Sequence, residues 1–396
     1  MLNDQNSVDS FYDSTTYHLN KKCLILAGGW PFLNPRKRKT IWLAINFSLF
    51  IGFVAEIIYI GEIIDRTTEV INCLMVIFCA ILAFCLSING AVKSHSMKRL
   101  LDSVRENWND LQSDDERNIF SKYANYGKIF TIGLSVCYYL VLLCQCVSPL
   151  IPPMLHYCIT GNWTDPERNI LDVEFFIDPV KYYWPIFIHG ATSTVAAVWM
   201  LVAYDLFFVV VVLHCCGMFA VLRYKIKQMD IMLYRYSYDQ QLVLKKIEEI
   251  VMYHLKCLEF AQKIEDFFCI QCIIQILVNT IVISVCGSQV IQLADTSPQE
   301  SFKFAFVGVS GTFRLAFFNV CGQIVNDQSL RVHDQLIYTT WYEYPKRARK
   351  LFVILYNRSA EPCNLTGAKM VNLNLATYSM LMKTAMSYFM MIIETQ

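Results

Sequence analysis

Apolar residues fall into seven runs, at 41–60, 70–90, 129–148, 186–213, 267–293, 302–325 and 371–393, with polar segments between them. Each run is close to the ~20 residues that carry a helix across the hydrocarbon of a bilayer. The pattern therefore predicts an all-α membrane protein with seven transmembrane helices. The last run, taken from Met370 to Glu394, is not uniformly apolar. Thr384, Ser387, Met391 and Glu394 recur at spacings of three or four, on one helical face, with Lys383 at its edge. A polar stripe on a spanning helix faces protein or water, because an unsatisfied polar group in lipid is costly. These five residues are the candidate lining and gate of a water-filled path. Hydrogen bonding to neighbouring helices is the alternative use of such a stripe.

The polar segments are helical in character too. There is no proline between Pro185 and Pro298 and no glycine between Gly217 and Gly287, so nothing forces the fourth and fifth helices to stop at the membrane surface. A fifth helix running from Gln240 to Leu293 would be about 80 Å long at 1.5 Å per residue. Its Leu242, Leu244, Ile247, Ile250, Val251, His254, Leu255 and Leu258 have helical spacing, which predicts packing of the projecting part against other helices. After Trp341, Tyr342 and Pro345, Lys346 to Tyr356 reads as a short amphipathic helix with a basic face. This bundle is the expected oligomerisation site, with Trp341, Tyr342 and Tyr356 as interface candidates. Gly308, Ser310 and Gly311 suggest a close helix contact in the sixth span, and Asp205 and Arg314 are candidates to pair.

Charge sets the orientation, because Lys and Arg near span ends stay cytoplasmic. Residues 1–40 hold six, and connections 91–128, 217–264 and 326–369 hold 7, 8 and 7; the other three connections hold only Arg66, Arg168 and Lys181. The N-terminus is expected inside and the C-terminus outside, with helical extensions forming a cytoplasmic anchor bundle. The sequon at Asn162 then lies outside and is the expected glycosylation site, whereas those at Asn357 and Asn364 lie inside. Residues 1–20 lack the features of a cleaved signal peptide, so the first span acts as its own signal. Charged residues make up 17% of the chain, against about 25% in soluble domains. The net charge of +1 gives no reason to expect nucleic acid. Most of the sixteen cysteines sit in apolar runs as small hydrophobes, and Cys269 and Cys272 lack the second ligand pair of a zinc site. No cofactor or metal is expected.

Three stretches resemble the insect odorant receptors: His214-Cys215-Cys216-Gly217-Met218-Phe219 followed by Arg223-Tyr224; Trp341-Tyr342 with Pro345 and Lys350-Leu351; and Ser387-Tyr388-Phe389. The last is similar to the Thr-Tyr, five apolar residues, Gln-Phe signature of the related gustatory receptors, with Glu394 in place of Gln. Met391 stands where the family's shared co-receptor has Val. The resemblance covers essentially the whole chain. It implies a ligand-gated, non-selective cation channel at the plasma membrane: a heterotetramer of odorant-binding subunits and the co-receptor (Orco), with the seventh helices lining a central pore. This chain resembles the tuning subunit, since the connection after its fourth span is short for the co-receptor. The implied domains are a cytoplasmic segment 1–40, six transmembrane helices in 41–325 with the ligand pocket in their outer half, an anchor segment 326–369, and the pore helix in 370–396.

Given that orientation, the outer halves of spans two to six are 71–80, 137–148, 184–196, 280–292 and 302–313. They are rich in aromatic and sulfur side chains with a few hydroxyls, as expected of a mostly apolar pocket. Met75, Tyr138, Tyr139, His189, Thr192, Phe306 and Ser310 are the candidate contacts, and no charged residue among them would neutralise an ion. A small, largely uncharged volatile ligand is expected. Other classes fit less well. There is no His-Glu-x-x-His, no phosphate-cradling glycine loop and no Gly-x-Ser-x-Gly, so an enzyme is not expected. Internal repeats and broken helices of a transporter are not evident. A gustatory-type channel subunit is the nearest alternative. A G-protein-coupled receptor is the alternative of a different class, and it would place the N-terminus outside.

Overall fold

The computed structural model describes residues 10–13, 16–162, 169–235 and 240–394. Its elements in order are α1 (His18–Leu26), α2 (Pro35–Glu62), α3 (Thr67–Val92), α4 (Ser94–Asn109), α5 (Asp114–Val147), α6 (Ile151–Thr160), α7 (Tyr183–Arg235), α8 (Gln240–Leu293), α9 (Pro298–Ile337), α10 (Lys346–Ser359), a hairpin of β1 (Thr366–Gly367) and β2 (Val371–Asn372), and α11 (Leu375–Glu394). Among the described residues, six helical stretches are long and apolar enough to cross a membrane, within α2, α3, α5–α6, α7, α8 and α9. The seventh helix, α11, which carries the hydroxyl stripe with Lys383 and Glu394, falls outside that set. Its 20 residues still measure about 30 Å.

The chain divides into two compact units. One contains residues 18–94 and 130–207, hence α1 to α3, the second half of α5, α6 and the first half of α7. In it Asn34 caps α2, its Oδ1 accepting from the Arg36 N–H at 3.0 Å just ahead of the basic first turn. Trp42 and Asn46 on α2 donate to the Ser87 carbonyl and hydroxyl of α3 at 3.3 and 2.8 Å. Gly90 makes a closer contact still: a Cβ there would lie 1.7 Å from the Tyr204 hydroxyl, so only glycine lets α3 and α7 approach.

The other unit contains residues 1–17, 95–129 and 208–396. Its centre is His214, 2% exposed, with both ring nitrogens engaged. Nδ1 meets the Tyr17 hydroxyl at 3.2 Å and Nε2 meets the Asn107 amide at 3.1 Å, while Trp108 donates to Tyr17 at 3.1 Å. Asn107 is a donor at that contact, so Nε2 is the accepting nitrogen and Nδ1 carries the proton. Burial holds the Tyr17 phenol well above its ordinary range, so it stays protonated. Next to this network a Cβ at Gly217 would stand 3.3 Å from the Phe120 ring. The 214–219 stretch therefore serves packing. The start of α5 is fixed by Ser113, whose Oγ accepts from the Glu116 N–H at 3.2 Å, while the Glu116 carboxylate accepts from Gln112 N at 2.9 Å and pairs with Lys225 at 2.5 Å.

Helix α8 has the expected limits, and α10 begins at the expected Lys346 with Pro345 as its N-cap. The seventh helix is shorter than the apolar run 371–393. Ala368 and Lys369 take left-handed φ values of 51° and 59°, which turn the chain so that Thr366 pairs with Asn372 and Gly367 with Val371. Such residues cost about 1–2 kcal/mol each in that conformation. Docking offsets the cost: Glu265 of α8 accepts the Thr366 N–H at 2.8 Å and its hydroxyl, and the Ala368 N–H donates to the Cys269 carbonyl at 2.8 Å. Asn374 then caps α11, accepting from Thr377 N at 2.7 Å. Trp341 is 39% exposed, whereas Tyr344 and Phe352 fill the interior of that segment at 1% and 2%.

Candidate functional site

One face of α11 is exposed along its whole length. Lys383, Met386, Ser387, Met390, Met391 and Glu394 line an open concavity of about 500 Å³. Thr384 and Ser387 return their hydroxyls to the Met380 and Lys383 carbonyls, each at 3.0 Å, so neither side chain is spent on a neighbouring helix. The opposite face is clamped. Ala385 is 1% exposed, and its carbonyl accepts from Ser284 of α8 at 3.0 Å. The structure thus places Lys383, Thr384, Ser387, Met391 and Glu394 on the exposed surface of one helix face, with Lys383 at its edge.

The proposed ligand contacts belong to both units. Five belong to the first unit. Met75 is buried on α3, at 8% exposure. Tyr139 tilts against Trp199 with centroids 5.8 Å apart, and Tyr138 donates to Asp205 at 2.5 Å. Trp199 and Asp205 lie ten and sixteen residues beyond His189 on α7, about 15 and 24 Å along its axis. Tyr138 and Tyr139 therefore meet α7 well below His189 and Thr192. Thr192 bonds back to the His189 carbonyl at 2.9 Å. Phe306 and Ser310 belong to the other unit, on α9, where Ser310 returns its hydroxyl to the Phe306 carbonyl at 2.9 Å. Beside them the close contact expected of Gly308 and Gly311 is present: Cβ atoms there would lie 3.2 Å from Cys286 and 3.5 Å from Ile283 of α8. Arg314 donates to Gln275 at 3.2 Å, so Asp205 and Arg314 each have a partner within their own unit.

Around His189 the first unit holds a polar group that the candidate contacts omitted. The Ser48 and Ser193 hydroxyls of α2 and α7 meet at 3.2 Å, and a Cβ at Gly52 would stand 3.3 Å from Ser193 Oγ and 3.8 Å from His189 Cε1. One turn further on α2 is Glu56, 2% exposed. Its Oε1 and both His189 ring nitrogens are buried without a hydrogen-bond partner. Glu56 was visible as the only charge in the run 41–60. What hid its role was the neighbourhood, supplied by residues more than 100 positions away.

Asn162 is exposed beside Gly161 at the end of α6, and the rest of its sequon lies outside the described residues. Trp341 stacks on Phe352 at 5.6 Å and 6°, Phe352 stacks on Tyr356 at 6.2 Å, and Tyr342 is 62% exposed. No group of three or more metal-ligating side chains occurs among the described residues.

The model of a family described as 7tm Odorant receptor matches residues 66–386. Odorant receptor 9a of Drosophila melanogaster is 24% identical to this chain over 281 residues, covering 70% of this chain and 69% of that one. Odorant receptor 67a of the same fly is 20% identical over 381 residues, covering 91% and 90%. Among solved structures, the olfactory receptor OR5 from Machilis hrabei in complex with eugenol superposes with a TM-score of 0.77 at 12% identity, over 99% of this chain and 100% of that one. A second OR5 structure gives the same TM-score at 13% identity. At such identities the structural likeness establishes the fold alone.

Proposed function

Because this chain belongs to the 7tm Odorant receptor family, a family of receptors rather than enzymes, we propose that it is the odorant-binding subunit of a ligand-gated, non-selective cation channel. It works at the plasma membrane, assembled as a heterotetramer with the co-receptor Orco. Its N-terminus is cytoplasmic, and its ligands are small volatile molecules with a largely apolar body. The observation that carries this reading is the exposed stripe of α11, whose hydroxyls, charges and methionines have no use in a lone helix facing lipid. Several copies around an axis would turn that stripe into a wall of a water-filled path.

Opening follows from ligand preference. A bound molecule shifts the closed–open balance only as far as it binds the open arrangement better. Met391 and Glu394 are one turn apart, so an apolar ring that closes by dewetting would sit beside a ring of carboxylates that attracts cations. Met75, Tyr138, Tyr139, His189, Thr192, Phe306 and Ser310 remain the proposed contacts. The test is a volatile-ligand panel on cells expressing this chain with and without the co-receptor, combined with an alanine scan of those seven. Odorant currents that require both chains, with a ligand ranking altered by the scan and an unchanged response to a direct co-receptor agonist, are expected. Ligand-evoked currents from this chain alone would favour a gustatory-type channel.

A further inference from the structure

An ionisable side chain inside a membrane span is costly to keep without a partner. Glu56 is such a residue, and among the described residues it forms no ion pair.

The surroundings add acceptors and aromatic surface rather than a counter-charge. The Glu174 N–H donates to the Ala55 carbonyl at 3.2 Å, which brings segment 172–175 against the end of α2. From there Phe175 stands edge-on to His189, with centroids 5.4 Å apart. Asp172, exposed at the rim, is within electrostatic reach of Glu56. Asn169 Oδ1 is a further buried acceptor without a partner. Gly52 keeps the floor between Glu56 and Ser193 free of a side chain.

The group that complements unmet acceptors beside a buried carboxyl and an aromatic ring is a cation bearing several N–H donors. A bare metal ion does not fit, since three ligating side chains do not come together there. We infer that Glu56, Gly52, Phe175, His189 and Ser193 form a binding site for the ammonium end of a small organic amine. Glu56 takes the charge, His189 and Ser193 take the remaining N–H groups, and Phe175 covers the site. The inference rests on the reading of this chain as a ligand-binding receptor, and it gives the largely apolar ligand a charged head.

Charge-selective thiol labelling tests this on the full chain co-expressed with its co-receptor. In a Phe175→Cys variant, the thiolate is reacted with 2-aminoethyl or 2-sulfonatoethyl methanethiosulfonate. Each reagent forms a mixed disulfide with loss of methanesulfinate, and labelling is followed by the mass of the Cys-bearing peptide. The ratio of the two rates, normalised to that of 2-mercaptoethanol, is expected to favour the ammonium reagent by roughly tenfold or more. Adding Glu56→Gln is expected to remove most of that preference, whereas adding Asp172→Asn leaves most of it. With Glu56 intact, 2-phenylethylammonium is expected to slow labelling and ethylbenzene to leave it unchanged. A preference that survives Glu56→Gln, or equal protection by amine and hydrocarbon, overturns the site. Labelling needs no open channel, so its failure with intact odorant currents removes this site alone. Charge-selective labelling without odorant currents counts against the receptor reading instead.

Discussion

Gly287 of α8 and Phe389 of α11 meet so closely that a Cβ at 287 would lie 2.9 Å from the Phe389 ring. The contact seats the outer half of α11 on α8, one turn beyond the Ser284–Ala385 hydrogen bond, and it turns Met391 and Glu394 away from that helix. Gly287→Val should cost about 1–3 kcal/mol through overpacking. A lowered unfolding temperature of the purified complex and altered gating are expected, and unchanged values for both would mean that α11 is seated elsewhere.

The exposed stripe is tested by conductance. Met391→Ser should raise the resting current by wetting the constriction, and Glu394→Gln should change the relative permeability to divalent ions. Unchanged reversal potentials and resting currents in both would move the pore lining off this face.

Trp341 and Phe352 stack in parallel, yet Trp341 is 39% exposed and Phe352 only 2%. The two should therefore fail differently. Phe352→Ala should destabilise the chain itself by about 3–5 kcal/mol. Trp341→Ala should leave its folding nearly intact and reduce co-purification with the co-receptor. Equal co-purification of Trp341→Ala and wild type would remove this surface from the assembly.

Orientation is read from glycosylation. Asn162→Gln should abolish the glycosidase-sensitive mass shift, and Asn357→Gln and Asn364→Gln should not alter it. The reverse pattern would invert the topology.

The His214 network predicts a cost without a functional signature. Asn107→Ala leaves Nε2 buried and unpaired, which should cost about 1–3 kcal/mol. A lower unfolding temperature with an unchanged ligand ranking is expected, as measured by thermal denaturation and dose–response curves.

Sequence pattern was most informative where one force dominates. The ends of α8 follow from the lack of proline and from its apolar periodicity, and the basic helix from Lys346 follows from its amphipathic spacing. The hairpin at 366–372 was illegible because nothing in Ala368 or Lys369 marks a left-handed turn; Glu265, about 100 residues earlier, holds it there. His214 illustrates the same limit. Its motif is local, but its partners Tyr17 and Asn107 come from two distant segments. Residues on α11 could be assigned to one face because a helix has a fixed period. The ligand contacts on four helices could not be grouped in that way, since depth along a helix depends on how its neighbours are staggered.

The stripe on α11 also carries its two charges far apart. Lys383 and Glu394 are separated by eleven residues, about 16 Å along the helix. That is twice the ~8 Å over which physiological salt screens a charge. In the proposed heterotetramer each copy of this chain would add one positive and one negative site to the wall, too far apart to cancel. A cation entering from the Glu394 end would be drawn in before it met a barrier, and one entering from the Lys383 end would meet the barrier first. Such a path would conduct unequally in its two directions, a rectification set by a single helix.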